Sequence, residues 1–392
     1  MSGGLRRGLA DLACRVLLAA LPPALKSWGR AVRCETAEIP DDTRALLYAL
    51  ESLRGLMPRA LAWHLLRPFA SLTGDGAPFH GDSIMTNLYY ATLRRPRLVG
   101  VACAIGAVAL GLAYMGFAGA PMRYLGINAG ALTIGLTMLA LLGRIIVVNR
   151  RTTGAAIVAI AGALLATALL GVSIGGATRW VRLGGLSIQP SLVLLPVMLV
   201  AYARCRNALA ALGMVAAAVA MAIQPDRAMA GMLAAGLAAL VIMRPDRCVV
   251  AAFCASVAGL AATLVRADTL PAVPYVDGIL YSSFEVHALA GAAVIGGSAL
   301  LLVPAIVGWH QDPANRVSHA AFGAVWLAGI AAAAIGNYPT PLVGYGGSAI
   351  IGYVLSLVAL PKLAGVHGGA SALAHGEAGT VSPNRHLLAG LA

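Results

Sequence analysis

Two carboxylates, Asp277 and Glu285, lie in a polar stretch at residues 266–285 that separates two long apolar runs. They are eight residues apart, slightly more than two helical turns, so they would share one face if this stretch is helical. A carboxylate in a cavity of low polarity binds its proton more tightly and can serve as a general base. The alternative is an ordinary loop aspartate followed by a glutamate that favours a helix N-terminus.

A second polar stretch, residues 179–191, is also flanked by long apolar runs. It contributes two arginines, an indole, an amide and a hydroxyl as candidate ligand-binding groups: Arg179, Trp180, Arg182, Gln189 and Ser191. These side chains are costly to place in hydrocarbon, so the stretch is predicted to be a loop at a membrane face. An aromatic ring beside cations suits a site that handles lipid headgroups.

Two further stretches have the composition of turns at a membrane face. Residues 337–348 contain two prolines and three glycines and end in Tyr345, Gly346, Gly347 and Ser348. Irregular backbone at membrane depth requires protein or a wet cavity around it, and glycines allow a ligand to approach closely. A re-entrant turn without a ligand is the alternative. Residues 224–227, Gln-Pro-Asp-Arg, are predicted to begin a helix.

The composition identifies the class of protein that holds these stretches. The 392 residues are 59% hydrophobic and 11% charged, with a mean hydropathy of +0.83, whereas soluble domains carry about 25% charged residues. The chain is therefore predicted to be an all-α, polytopic membrane protein with about ten spans. The apolar spans are 98–117, 124–147, 154–173, 188–203, 207–222, 228–243, 247–265, 286–308, 318–336 and 345–361.

The charges indicate the topology and exclude other classes. With the N-terminus in the cytoplasm, the short inner loops carry eight arginines and the outer loops five, which agrees with the positive-inside rule. Both termini are then cytoplasmic, and residues 179–191 and 266–285 face outward. The net charge of +13 is assigned to topology and anionic lipid, not to nucleic acid. The scattered cysteines and histidines predict no disulfide framework and no metal site.

The chain divides into three predicted regions. Residues 1–97 hold 13 of the 28 Lys and Arg residues and form a cytoplasmic or membrane-surface segment. It contains amphipathic helices at about 5–20 and from about 40–43 onward, followed by a loop at 72–87. Residues 98–363 form the ten-helix domain. Residues 364–392, rich in Gly, Ala and Ser, are predicted to be disordered.

Taken in order over ten spans, the four polar stretches resemble the SEDS family of membrane glycosyltransferases (shape, elongation, division and sporulation). The residues that match the family's patterns are Arg179, Trp180, Leu183, Gly184, Gln189, Pro190, Ser191, Gln224, Pro225, Asp226, Leu270, Pro271, Asp277, Ile279, Glu285, Pro341, Tyr345, Gly346, Gly347 and Ser348. The resemblance covers about residues 98–363.

This resemblance implies a peptidoglycan glycosyltransferase that polymerises lipid II at the outer face of the bacterial cytoplasmic membrane, for cell shape or division. Asp277 matches the family's proposed catalytic residue, which would deprotonate the acceptor hydroxyl. Arg179 and Arg182 would stabilise the undecaprenyl pyrophosphate leaving group. The resemblance further implies a class B penicillin-binding protein as partner and admits a divalent cation as cofactor. The remaining implied substrate-binding residues are Trp180, Gln189, Ser191, Glu285, Tyr345, Gly346, Gly347 and Ser348.

The sequence also departs from the family's pattern. Leu192 and Leu195 replace a glutamate and a lysine of the family's polar cavity, Gly344 replaces a serine, and Gly278 replaces a phenylalanine. These departures leave open a non-catalytic scaffold or regulator with the same fold. A transporter of lipid-linked precursors is a further alternative, but it needs a polar path through spans that carry almost no charge.

Overall fold

A computed structural model describes residues 3–70, 96–145, 150–266 and 271–361, most of which are helical. The N-terminal region contains three helices, α1 (Gly3–Ala20), α2 (Lys26–Glu38) and α3 (Asp42–Ala70). The predicted first helix and the predicted start near 40–43 are confirmed, and Asp41 Oδ1 accepts hydrogen bonds from the backbone of Thr43 and Arg44 at that start. Helix α2 was not predicted, because its buried face consists only of Gly29, Val32 and Thr36. The predicted loop at 72–87 and the predicted tail at 364–392 lie outside the described residues.

The membrane domain follows as a bundle of apolar helices. These are α4 (Pro96–Phe117), α5 (Met122–Ile145), α6 (Arg150–Leu170), α7 (Pro190–Arg204), α8 (Ala208–Ile223), α9 (Arg227–Met243), α10 (Arg247–Val265), α11 (Ile279–Val286), α12 (Ala288–Leu300), α13 (Val303–Gln311), α14 (Arg316–Ile335) and α15 (Gly347–Ala359). In the part of the chain that the structure describes, six segments are long and apolar enough to cross a membrane.

Four shorter apolar helices, α7, α8, α9 and α15, complete the ten predicted spans. Nine of the predicted spans agree with the observed helices to within four residues at either end. At about 1.5 Å per residue the four shorter helices do not cover a hydrocarbon core of about 30 Å, so local thinning of the bilayer is expected around them. The predicted all-α, polytopic membrane architecture is confirmed.

The predicted eighth span is divided into α12 and α13. The helix breaks at Leu301 and Leu302, where Pro304 lies in the first turn of α13 and its ring is incompatible with the carbonyl of residue 300. The Tyr353 hydroxyl donates to the Leu301 carbonyl at 3.1 Å, which satisfies an acceptor that the break exposes.

The prediction of a loop at 179–191 is wrong, because residues 172–188 form a small antiparallel sheet. Its strands, in spatial order, are β1 (Val172–Ile174), β2 (Ala177–Leu183) and β3 (Leu186–Ile188). Each connection is a pair of glycines with positive φ, 57° and 81° at Gly175–Gly176 and 53° and 81° at Gly184–Gly185. Two-residue hairpin turns of this kind require left-handed backbone, which glycine adopts at little cost.

Helix α15 packs against α4, α5 and α7. Glycines permit the close approach. A methyl group at Gly352 would lie 2.0 Å from the Leu192 carbonyl oxygen, and one at Gly100 would lie 2.4 Å from the Leu357 side chain. Small residues at helix contacts are the usual means of packing in lipid, where helix association gains little from the hydrophobic effect.

We expect Gly352→Ala to destabilise the membrane domain by about 1–3 kcal/mol, because a rigid backbone atom blocks the new methyl group. The measurement is thermal unfolding of the purified protein in detergent. Gly116→Ala on α4 is the matched control, because no atom lies within 4 Å of a methyl group at that position. Equal melting temperatures for the two variants would contradict the packing described for α7 and α15.

Candidate functional site

The Asp277 carboxylate is held by a tight loop at one end of the bundle. Asp277 is half-buried, and its Oδ2 accepts a hydrogen bond from the Val273 backbone N–H at 2.8 Å. Gly278 follows with a φ of 66°, and α11 begins only at Ile279. The condition under which Asp277 and Glu285 would share a helix face is therefore not met, because the helix starts after Asp277 and left-handed backbone at Gly278 separates the two residues. Glu285 is exposed near the end of α11.

Backbone pairing joins this loop to the glycine-rich segment 337–348. Asp277 pairs with Pro339, and the Thr340 N–H donates to the Val276 carbonyl at 3.0 Å. The Tyr345 N–H donates to the Tyr275 carbonyl at 2.7 Å. Two stretches that the sequence singled out separately thus form one unit, in which the position of Asp277 is fixed relative to Tyr345.

Arg179 and Asp226 are buried side chains that connect the sheet to the turn before α9. Arg179 donates to the backbone carbonyls of Gln224 and Pro225. Asp226 Oδ2 accepts from Gln189 Nε2 at 2.8 Å, and the Ser191 hydroxyl lies 3.4 Å from the same oxygen. Asp226 Oδ1 accepts from the backbone of the third residue beyond it at 3.3 Å, so the predicted helix start at residues 224–227 is confirmed.

Ser348 links the two halves. Its Oγ accepts a hydrogen bond from the Gln189 N–H at 2.9 Å, which joins the sheet to the start of α15. Asn128 on α5 stabilises the same segment, since its Nδ2 donates to the Gly344 carbonyl and its Oδ1 accepts from Gly346 N–H. All four polar stretches thus meet at one end of the bundle, and Asp277 is connected to Arg179 through residues 345–348.

Tyrosine rings form an aromatic cluster beside Asp277 that the sequence did not predict. Tyr124 stacks on Tyr345 with ring centroids 3.9 Å apart, and Tyr275 meets Tyr124 edge-on at 6.3 Å. The exposed Arg123 guanidinium lies over the Tyr124 ring, 5.2 Å from its centroid. The sequence feature that could have indicated this cluster is the arginine–tyrosine pair at the start of a span, since basic and aromatic residues are enriched at the ends of membrane spans.

The remaining predicted residues differ in accessibility. Trp180 is half-buried on β2, opposite Val172, whereas Arg182 is exposed and opposite Ser187. Gly346 and Gly347 lie half-buried at the start of α15. Leu192 and Leu195, at the positions of the family's charged residues, belong to the apolar core and are 6% and 0% exposed.

Comparison with protein-family models finds no match for this chain, and comparison with curated proteins also finds none. Solved structures do resemble it. The Thermus thermophilus rod shape determining protein RodA matches with 22% identity and a TM-score of 0.50, over 66% of this chain and 93% of RodA. A point mutant of that RodA matches with 23% identity and a TM-score of 0.49, over 66% and 94%. A peptidoglycan synthase complex matches with 22% identity and a TM-score of 0.47, over 66% and 94%. The chain therefore has the fold of RodA, a SEDS protein, as its motifs predicted.

We expect Asp226→Asn to flatten the dependence of stability on pH. Burial raises the pKa of Asp226 above 3.8, although Arg179 and the hydrogen bonds oppose the shift. The folded state then binds more protons than the unfolded state between 3.8 and the raised pKa, so wild-type stability falls as pH rises through that window. Asparagine keeps the capping oxygen and does not titrate.

The measurement is the melting temperature of both proteins in detergent from pH 4 upward. The difference between the two curves isolates this carboxyl group from the rest of the molecule. Parallel curves would show that Asp226 titrates at the same pH in the folded and unfolded states.

Proposed function

We propose that this chain is a SEDS-type glycosyltransferase that polymerises lipid II at the outer face of the bacterial cytoplasmic membrane, in wall synthesis for shape or division. Both termini would then be cytoplasmic. The observation that carries the proposal is the backbone pairing that holds Asp277 against residues 339–345, at the same end of the bundle as the arginine-bearing sheet. A base and cationic groups in one place are what transfer from a pyrophosphate donor needs.

Asp277 would act as the general base. The Val273 N–H orients its carboxylate by hydrogen bonding to Oδ2. The carboxylate accepts the proton of an acceptor sugar hydroxyl as that oxygen forms a bond to the anomeric carbon of the donor. The bond from that carbon to the pyrophosphate oxygen breaks, and undecaprenyl pyrophosphate leaves with the electron pair. The proton remains on Asp277 until the product departs.

Arginines at this end of the bundle would stabilise the leaving group. Arg123 and Arg182 are exposed and can reach a phosphate oxygen directly. Arg179 is buried against backbone carbonyls, so it would not contact the leaving group directly. Its charge would add to the positive potential at this end of the bundle, and its hydrogen bonds would position the sheet. Arg227 and Arg266 donate to the carbonyls of Thr263 and Ala222 nearby and add to the same positive field.

The other predicted substrate-binding residues fall into two groups. Gln189, Ser191 and Ser348 are linked by hydrogen bonds and would fix the shape of the site. The groups that are half-buried or exposed would contact the disaccharide and pyrophosphate: Trp180, Glu285, Tyr345, Gly346 and Gly347. The proposal admits a divalent cation as cofactor. A single carboxylate is enough for this, since Mg²⁺ is often bound through one or two carboxylates together with substrate phosphates.

A non-catalytic scaffold or regulator is the second candidate. Leu192 and Leu195 favour it, because they place apolar core where the family's pattern has a glutamate and a lysine. In either case we propose a class B penicillin-binding protein as the partner, on the strength of the motif resemblance.

We expect Asp277→Asn to abolish lipid II polymerisation by the purified protein, a loss of at least about a hundredfold. The amide oxygen of asparagine can still accept from Val273 N–H, so the loop keeps its shape while the base is removed. The measurement is the length and yield of glycan strands from lipid II in proteoliposomes.

Glu51→Gln on α3 is the matched control for loss of one exposed carboxylate, and it should leave polymerisation unchanged. If Asp277→Asn polymerises like the wild type, Asp277 is not the base. A wild type that makes no glycan, alone or with a class B penicillin-binding protein, would favour the scaffold.

We expect Arg123→Gln to raise KM for lipid II about tenfold, with a smaller change in kcat, because a charge-assisted contact to phosphate is lost. The KM of Arg123→Lys should lie between those of the wild type and Arg123→Gln, because lysine keeps the charge but loses the planar stacking on Tyr124. Arg44→Gln on α3 controls for the loss of one exposed arginine. Identical kinetics for Arg123→Gln and wild type would remove Arg123 from the site.

A further inference from the structure

The fully buried carboxamide of Asn128 uses both of its polar atoms on one segment of backbone. Asn128 lies on α5 and is 0% exposed. Its Nδ2 donates to the Gly344 carbonyl at 2.9 Å, and its Oδ1 accepts from the Gly346 N–H at 3.1 Å. Asparagine is seldom buried and is a poor helix former, and a polar side chain is costly within an apolar span. The two hydrogen bonds offset this cost, so they account for an amide at this position.

Asn128 acts on this segment as a neighbouring strand would. The Gly344 carbonyl and the Gly346 N–H point to one side, toward α5. The Tyr345 N–H between them points to the other side and donates to the Tyr275 carbonyl at 2.7 Å. Backbone groups of successive residues alternate in this way along extended chain. The segment is therefore held along both edges, by an amide side chain on one and by loop backbone on the other.

The two paired segments both contain strained backbone. Tyr275 and Leu342 each have a φ of 64°, in the left-handed region that is unfavourable for residues with a Cβ. Such conformations persist only where the surrounding contacts enforce them. Packing supplies one of these contacts, since Val343 is completely buried against α4 and α12. Packing holds the segment at that point, and the directional hydrogen bonds of Asn128 orient the peptide groups that follow.

We propose that Asn128 is a positioning residue for the general base Asp277, an inference that rests on the proposed function. Asn128 orients the peptide groups of residues 344–346, and the Tyr345 N–H then fixes the carbonyl of Tyr275, two residues before Asp277. Because Asn128 is fully buried, it acts through this backbone and not by contact with substrate. A general base must stay within hydrogen-bond reach of the hydroxyl, so a small shift of the loop lowers the rate of the chemical step.

The first test is the steady-state kinetics of lipid II polymerisation by full-length Asn128→Leu in proteoliposomes. Leucine keeps the branched shape of the side chain and removes both hydrogen bonds. We expect kcat to fall about thirtyfold and KM for lipid II to change by less than about twofold, because alignment of the base is lost and substrate binding is not. Asn128→Ser should show the same split, since its hydroxyl bonds within its own helix and the variant introduces no larger side chain.

Ser298→Ala on α12 is the matched control. Ser298 is also buried and donates a side-chain hydrogen bond, but to the Val294 carbonyl of its own helix. Its loss should lower the melting temperature and leave kcat unchanged. A wild-type kcat in both Asn128 variants would overturn the proposal. An equal fall of kcat in Ser298→Ala would also overturn it, by showing that kcat follows the stability of the bundle.

The second test measures the loop without using activity, by amide hydrogen exchange of the full-length protein in nanodiscs. We expect Asn128→Leu and Asn128→Ser to speed exchange in peptides that contain residues 272–279 and 344–346, with wild-type exchange in α7 and α9. An unfolded fraction would instead exchange rapidly throughout the bundle, which distinguishes it from a displaced loop. Unchanged exchange at residues 272–279 in both variants would overturn the proposal.

The two tests separate this inference from the proposed function. A wild type that makes no glycan would overturn the enzymatic proposal and, with it, a catalytic role for Asn128. A wild type that polymerises lipid II, with Asn128 variants that loosen the loop but keep the wild-type kcat, would overturn the positioning role and leave the enzyme in place.

Discussion

The site depends on a hydrogen bond between residues 159 positions apart, from the Gln189 N–H to the Ser348 hydroxyl. It joins a half built from the sheet and the turn before α9 to a half built from the Asp277 loop and residues 339–345. The bond is partly buried, and an N–H that is shielded from water is costly to leave unpaired. Because Ser348 lies in the first turn of α15, and α15 packs on α7 through Gly352, the alignment of the two halves is set by the packing of two short helices.

Burial away from water also explains the many polar contacts of Arg179 and Asp226. Each is buried, and each is stabilised by several hydrogen bonds in addition to the charge of the other. Arg179 fixes β2 to the turn, and Asp226 fixes the turn to Gln189 and to the start of α9. These contacts use donors of Arg179 on protein carbonyls, so the proposed function assigns direct contact with the anionic leaving group to Arg123 and Arg182.

The sequence predicted most of the bundle, because apolar runs of span length are a strong local signal. The helix start at Asp226 was predicted correctly because a proline and an aspartate lie together in the turn that precedes the helix. The sheet did not follow, since three short strands at a polar surface show little alternation, although the paired glycines at 175–176 and 184–185 were a hairpin signal. The aromatic cluster was also missed, because Tyr124, Tyr275 and Tyr345 come from three distant segments and no local pattern reports such a contact.

Leu192 and Leu195 lie where the pattern that the chain resembles has a glutamate and a lysine, and the two differences can be explained together. They are three residues apart on α7, one helical turn, where a glutamate and a lysine can neutralise each other. Removing one member of a buried pair strands a charge, whereas replacing both with apolar residues of similar size is often neutral or stabilising. The double replacement is therefore compatible with the intact fold, and it changes the net charge near the site by nothing. It removes two polar groups from the first turns of α7 but leaves Asp277, its loop and the exposed arginines in place. The proposed chemistry therefore depends on Asp277, which these two leucines do not alter.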